Sequence, residues 1–88
     1  MKIKDGYILD SIGEQKVAIS LEDSKDRFSG MIKLNPVAAF LWEQLLEETD
    51  ENALLNAVIK KYNVDSETSA KDIKVFLYKL DKNGIMER

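Results

Sequence analysis

Hydrophobic and polar residues alternate in three short segments near the start of the chain. Residues 7–12 (YILDSI) and 16–21 (KVAISL) are rich in Ile, Val and Leu, and Gly13 between them can adopt the positive φ of a tight hairpin turn. After a polar loop at 22–27, residues 28–34 (FSGMIKL) alternate again. This pattern predicts an antiparallel meander of three strands with one face against a core.

Each predicted strand has two faces because successive side chains point to opposite sides. In the second strand, one face is apolar at Val17, Ile19 and Leu21, and the other is small or polar at Ala18 and Ser20. In the third strand, one face carries Phe28, Gly30, Ile32 and Leu34, of which the three apolar residues should meet the core, and the other carries Ser29, Met31 and Lys33.

A helix is predicted to begin directly after the third strand. Asn35 is a favoured N-cap residue, and Pro36 suits the first helical position, where its missing N–H has no cost. The helix runs to about Glu47 and is apolar around most of its girth, which is typical of a helix at the centre of a small domain. Its apolar positions are Val37, Ala38, Leu41 and Leu45, widened by Phe40, Trp42 and Leu46.

Two further helices follow. Thr49 or Asp50 caps the second helix, and the third begins at Asp65 or Ser66 and stops at Gly84. The apolar positions are Leu54, Leu55, Val58, Ile59 and Tyr62 in the second helix, and Ile73, Phe76, Leu77 and Leu80 in the third. The last four residues (IMER) either return as a short strand or pack two apolar side chains against the core.

Three strands followed by three helices indicate an α+β fold. We expect a small sheet against a three-helix bundle, close to a winged helix-turn-helix, and one domain over residues 1–88. At helical spacing beside leucines, Phe40, Trp42 and Tyr62 are expected in the core rather than in a ligand pocket.

The composition narrows the possible functions. The chain has no Cys, which excludes disulfides, thiolate metal sites and cysteine nucleophiles, and no His, the commonest general base and metal ligand. We therefore expect no metal, no cofactor and no enzyme activity, because no carboxylate pair or Ser–Lys pair stands out by its spacing. No apolar run approaches the ~20 residues of a membrane span, so we expect a cytoplasmic protein without a membrane partner.

A winged-helix DNA-binding protein is one alternative. The third helix would then bind the DNA bases. However, it carries three acidic residues beside its four lysines, so its excess positive charge is only one, and it has no Arg to bind guanine. The net charge of −3 also disfavours a nucleic-acid partner. A second alternative is a dimerisation module that binds another folded protein, and we expect either a monomer or a weak homodimer.

Three stretches together resemble a known family. They are GMIKLNPVAAFLWEQL at 30–45, an amphipathic helix that ends in YNVD at 62–65, and DIKVFLYKLDKNGIME at 72–87. Their order and spacing are similar to the PqqD family, which is named for a protein of pyrroloquinoline quinone biosynthesis. Its wider membership is the recognition element for ribosomally made, post-translationally modified peptides. The resemblance covers the chain from about Tyr7 to Glu87.

The resemblance implies a binding module without catalytic activity. The leader segment of a precursor peptide would add as an antiparallel strand beside the third strand, with its side chains in the cleft between that strand and the third helix. The module would then present the peptide to a modifying enzyme, often a radical S-adenosylmethionine enzyme. The implied peptide-binding residues are Arg27, Phe28, Ser29, Gly30, Met31, Ile32 and Lys33 on the strand, and Thr68, Lys71, Asp72, Val75, Tyr78 and Lys79 on the helix.

The residues themselves fit such a cleft. Val75 and Tyr78 fall outside the core stripe of the third helix; single exposed apolar residues are common on protein surfaces, but Val75 can also line a groove, with Asp72 and Lys79 at its rim. The third strand has no Pro to block a guest strand, although Gly30 is also typical of a bulge. With a Met31 side chain that adapts to irregular partners, this strand is a possible docking edge.

One departure concerns the pathway. Members of the quinone pathway carry a Pro-containing segment before the third strand, whereas this chain has a single proline, Pro36, after it. We therefore expect the guest to come from a different modified peptide.

Overall fold

A computed structural model describes residues 1–20 and 31–87 of the chain. The elements are β1 (Lys2–Ile3), β2 (Tyr7–Ile12), β3 (Gln15–Ser20), β4 (Met31–Leu34), α1 (Pro36–Gln44), α2 (Glu51–Tyr62), α3 (Ser66–Lys82) and β5 (Met86–Glu87). In this described part, β2, β3 and β4 form an antiparallel sheet in that order, and β1 pairs with β5. The predicted α+β meander and three helices are confirmed. Residues 28–30 of the predicted third strand lie outside the described residues.

The face of the sheet that packs on the helices includes Ala18 of β3. Ala18 is opposite Leu9 on one side and Ile32 on the other, so these three share a face, and Ala18 is fully buried in the core they join. The apolar face predicted for β3 points the other way, where Val17 is buried in register with Asp10 and Lys33. Hydrophobicity could not identify the core face because β3 is buried on both faces.

Each helix begins with a side-chain cap. The Asn35 Oδ1 accepts a hydrogen bond from the Ala38 N–H at 2.8 Å, and Pro36 occupies the first turn, as predicted. The Asp50 carboxylate caps α2 through the Ala53 N–H, also at 2.8 Å. These caps satisfy backbone N–H groups that have no partner inside the helix.

Helix α1 ends earlier than the pattern predicted, at Gln44 rather than Glu47. Leu45 caps the helix and is completely buried, but the chain then turns and leaves Leu46 53% exposed. The prediction that Leu46 widens the core stripe was therefore wrong, because the helical period does not extend to this residue.

Aromatic residues of α1 lie in or against the core, as predicted. Trp42 is completely buried and meets Tyr7 of β2 edge to face, with ring centroids 6.2 Å apart. Phe40 is half-buried and meets Tyr62 of α2 at 5.7 Å. These contacts tie α1 to the sheet on one side and to α2 on the other.

A second, two-stranded pairing joins the ends of the described chain. Ile3 of β1 is opposite Met86 of β5, and both are buried. The Ile3 N–H also donates to the carbonyl of Leu45 at 2.9 Å, and the Lys4 N–H donates to that of Ile85 at 2.8 Å. The strand β1 was not predicted, whereas β5 realises one of the two predicted alternatives. Among residues 1–20 and 31–87, every helix is too short or too polar to span a lipid bilayer.

Candidate functional site

The outer edge of β4 is open in the part of the chain that the structure describes. On its inner side β4 pairs with β3, from Lys16 opposite Leu34 to Ile19 opposite Met31. Within residues 1–20 and 31–87, no strand pairs with its other side. An open edge of this kind can accept a guest strand.

The backbone groups that face outward belong to Met31 and Lys33. The Leu34 carbonyl accepts a hydrogen bond from the Gln15 Nε2 at 2.8 Å, so its backbone points toward β3. Direction alternates along an antiparallel strand. Ile32 therefore also pairs inward, and the N–H and C=O groups of Met31 and Lys33 point to the open side. They offer two donors and two acceptors to a guest.

A groove of about 400 Å³ lies beside this edge, between β4 and α3. Its wall on α3 carries Val75, which is 66% exposed, and the half-buried Phe76. Its floor is the start of α1. The lining residues are Ile32, Lys33, Leu34, Asn35, Val37, Ala38, Leu41, Asp72, Val75, Phe76 and Lys79. The groove is thus apolar along its middle and charged at its rim.

The joint between β4 and α1 lines part of the groove. Asn35 ends the strand and caps the helix, so strand and helix meet without an intervening loop. Because of this, Leu34 of the strand and Val37 of the helix line the same space. The short joint therefore brings an open strand edge and an apolar helix face together.

A smaller cavity of about 260 Å³ adjoins the groove and shares Val37, Leu41 and Asp72 with it. Thr68 lines this second space, together with residues of the end of α2. Its other lining residues are Val58, Tyr62, Val64, Asp65, Ser69 and Ile73. The groove therefore continues along α3 toward its N-terminus.

The N-terminus of α3 is held by Asp65. Its carboxylate accepts a hydrogen bond from the backbone N–H of Thr68 at 2.8 Å. The pKa of Asp65 is lowered from 3.8 because the backbone N–H and the hydroxyl of Thr68 both donate to its charged form. Thr68 thus has a structural role in addition to its place at the cavity.

A further cavity, of about 660 Å³, lies on the other side of α3. Tyr78 and Leu77 line it, and at its rim the Lys74 ammonium pairs with the Glu51 carboxylate at 2.7 Å. Its remaining lining residues are Met1, Glu48, Asp81, Met86 and Glu87. Although this cavity is larger, β4 does not border it, so we place the candidate site in the groove.

The structure separates the residues predicted for the site. Ile32, Lys33, Asp72, Val75 and Lys79 line the groove. Thr68 lines the adjoining cavity and Tyr78 the cavity beyond α3, while Lys71 is exposed and lines none of the three. Met31 contributes its backbone through β4. The predictions for Arg27, Phe28, Ser29 and Gly30 lie outside the described residues.

The sequence reasoning missed the contribution of α1. Val37, Ala38 and Leu41 line the groove, yet their spacing predicted only a core stripe. Val37 and Ala38 remain half-buried, which shows that the stripe extends beyond the closed core. The joint itself was a signal, because a helix that starts directly after an edge strand places its first turn beside that edge.

Comparisons with known proteins agree with this geometry. The family profile described as coenzyme PQQ synthesis protein D (PqqD) matches residues 8–86. The structure of TbiB1 in complex with the TbiA(beta) leader peptide matches with a TM-score of 0.76 at 25% identity, over 99% of this chain and 95% of that one.

A lasso peptide synthetase B1 complexed with the leader peptide has the same fold, with a TM-score of 0.74 at 16% identity, over 99% of this chain and 96% of the other. No individually curated protein matches the sequence. The profile match spans nearly the whole chain, from β2 into β5, and it coincides with the fold and with the groove beside β4. The chain therefore belongs to the PqqD family.

Proposed function

We propose that this protein binds the leader segment of a precursor peptide by adding it as a strand to the open edge of β4. The observation that carries this proposal is the row of outward backbone groups at Met31 and Lys33, directly beside an apolar groove. Two structural relatives, TbiB1 and a lasso peptide synthetase B1, are each complexed with a leader peptide.

The geometry of β4 determines which side chains of a guest strand would reach the groove. Guest residues opposite Met31 and Lys33 exchange backbone hydrogen bonds with them. The side chains of these guest residues point to the outer face of the sheet, away from the groove. Guest residues opposite Ile32 and Leu34 point to the face that carries the groove, because Ile32 and Leu34 face the core. The groove therefore receives alternate guest side chains, two residues apart.

Backbone pairing alone is too weak to hold a disordered leader. The four outward groups can form about four hydrogen bonds, each worth ~0.5–1.5 kcal/mol net, whereas a micromolar complex needs about 8 kcal/mol. Ordering the guest costs further free energy. Apolar side chains packed against Val75, Val37 and Phe76 must therefore supply much of the affinity, and the specificity with it.

The module presents the leader and leaves the chemistry to a partner. The chain has neither His nor Cys, and the described residues that line the groove include no Ser, Thr or Tyr hydroxyl. We propose that residues 1–88 act as a single, non-catalytic domain for a modifying enzyme, of which a radical S-adenosylmethionine enzyme is one class. Because the precursor is made by ribosomes, this role belongs in the cytoplasm.

A binding titration tests the proposed function. The probes are fluorescein-labelled synthetic leader segments of the short peptides encoded beside the gene, and the readout is fluorescence anisotropy. We expect one probe to bind with micromolar or tighter affinity. Val75→Asp should weaken that binding by more than about tenfold, because it places a charge in the apolar middle of the groove.

Tyr78→Asp is the matched control. Tyr78 is 67% exposed, close to the 66% of Val75, and lies on the same helix, but it lines the cavity beyond α3. We expect its variant to bind the probe like the unchanged protein. Equal losses in both variants would contradict the assignment of the groove, provided that circular dichroism shows both variants to be folded.

A further inference from the structure

The wall of the groove on α3 carries opposite charges at its two ends. Asp72 and Lys79 both line the groove, and Val75 and Phe76 lie between them. Seven residues of helix separate the two charged positions, which is about 10 Å along the axis. An extended guest covers that distance in about three residues, which is close to the four-residue separation of two residues that flank an alternating apolar pair.

The cavities show which end of the groove is acidic. Asp72 also lines the adjoining cavity, together with Val37 and Leu41 of α1. Since α1 follows the C-terminal end of β4, Asp72 lies toward the Leu34 end of the strand. Lys79 lines only the groove and lies toward the other end.

Both charged groups are available to a guest. Within residues 1–20 and 31–87, neither the Asp72 carboxylate nor the Lys79 ammonium forms an ion pair, and both residues are exposed. On the opposite side of α3, by contrast, Lys74 is paired with Glu51 at 2.7 Å. In the adjoining cavity, Asp65 is already engaged in capping the helix.

Stabilisation of the helix does not account for Asp72. Acidic residues favour a helix within its first turn, where they meet the positive end of the dipole. Asp72 is the seventh residue of α3, beyond that turn, so it gains little there. Lys79, by contrast, lies in the last turn of α3, where a basic residue also favours the helix.

We propose that the groove selects a guest by the order of its charges. The N-terminal side of a bound antiparallel guest lies at the Leu34 end of β4, and its C-terminal side lies at the Met31 end. The preferred guest is therefore an extended peptide with two apolar residues, two positions apart, that enter the groove. A basic residue precedes this apolar pair and lies near Asp72, and an acidic residue follows the pair and lies near Lys79. This inference rests on the proposed function and adds the class of leader that the groove accepts.

Selection from a display library of random short peptides tests the charge order and does not require the natural precursor. The unchanged protein should enrich alternating apolar residues with a basic residue on the N-terminal side and an acidic residue on the C-terminal side. The double variant Asp72→Lys with Lys79→Asp, which has the same net charge, should enrich the reverse order. If that variant does not fold, Asp72→Asn with Lys79→Gln should enrich the apolar pair with no charge order.

The enriched peptide and an isomer with its two charged residues exchanged allow a direct comparison. We expect the isomer to bind about tenfold more weakly, since two attractive surface pairs become repulsive ones. The difference should shrink in about 0.5 M salt, where exposed charges are screened.

The outcomes separate the two proposals. The charge selection would be overturned if the enriched peptides showed apolar alternation but no charge order, or an acidic residue first. It would also be overturned if the swapped variant enriched the same order as the unchanged protein. Each of these outcomes would leave strand addition intact. If the unchanged protein enriched no peptide more strongly than the Val75→Asp variant does, both the charge selection and the strand addition would be overturned.

Discussion

At the scale of single residues, the end of α1 separates two neighbours that the sequence pattern treats alike. Leu45 is 0% exposed, whereas Leu46 is 53% exposed. Both continue the apolar pattern of the helix, but the chain leaves the helical path after Gln44. The packing of each side chain thus depends on where the helix ends, which is the least certain feature of any periodic pattern.

This difference gives a stability prediction. Leu45→Ala should lower the free energy of unfolding by about 2–5 kcal/mol, because it leaves a cavity in the core. Leu46→Ala is the matched control and should change it by no more than about 0.5 kcal/mol, as is usual for an exposed position. Urea unfolding of both variants measures the two values, and similar losses would contradict the placement of Leu46 outside the core.

Two exposed residues of α3 show how much of the site the sequence pattern could predict. Val75 stands outside the core stripe of α3, where the residues alone allowed either an ordinary exposed side chain or a groove, and the family resemblance assigned it to the cleft; it lines the groove beside β4. Tyr78 stands outside the same stripe but lines the cavity on the other side of the helix. A helical period shows that a residue is outside the core, but only the neighbouring elements decide which surface it joins.

At the scale of elements, local signals predicted where the helices begin. Asn35, Asp50 and Asp65 each cap a helix through the N–H three residues later. These are short-range interactions, so the sequence could reveal them. In contrast, β1 has only two residues and no period of its own, and its partner β5 is at the far end of the chain. No local pattern could predict that pairing.

The cap of α3 makes a prediction about pH. The pKa of Asp65 is lowered from 3.8 in the folded protein, so its charged form is favoured by folding. The stabilisation is therefore full well above pH 3.8 and is lost as the pH falls through this value and below it. We expect the stability advantage of the unchanged protein over Asp65→Asn to shrink between about pH 6 and pH 3.

Asn is a suitable substitute because it also caps helices but does not titrate. Thermal unfolding followed by circular dichroism at several pH values gives the difference between the two proteins, and the other carboxylates cancel in that difference. Parallel pH dependence in both proteins would show that the Asp65 cap does not titrate as proposed.

At the scale of the whole molecule, one hydrophobic cluster joins the described elements. It includes Ala18 of β3, Trp42 of α1, Leu54 of α2 and Leu80 of α3, and it extends to Ile3 of β1. The groove is a shallow extension of this cluster between β4 and α3. The order of strands and helices predicted the architecture, but the groove depends on how closely α3 approaches β4, which is a long-range property.

A shared core predicts cooperative unfolding. Trp42 is the single tryptophan of the chain and is buried between the sheet and the helices, so its fluorescence reports on tertiary packing. We expect fluorescence and far-ultraviolet circular dichroism to give coincident urea transitions, as for a two-state domain. Separate midpoints would indicate independently unfolding parts and contradict a single domain.

Amide hydrogen exchange at β4, followed by nuclear magnetic resonance, tests strand addition most directly. The probe is the peptide with the highest affinity from the titration or the display selection. In the free protein, the inward amides of Ile32 and Leu34 should exchange more slowly than the outward amides of Met31 and Lys33. Saturating peptide should slow exchange at Met31 and Lys33 by at least about tenfold through new backbone hydrogen bonds. Binding that leaves both of these amides in fast exchange would contradict the account.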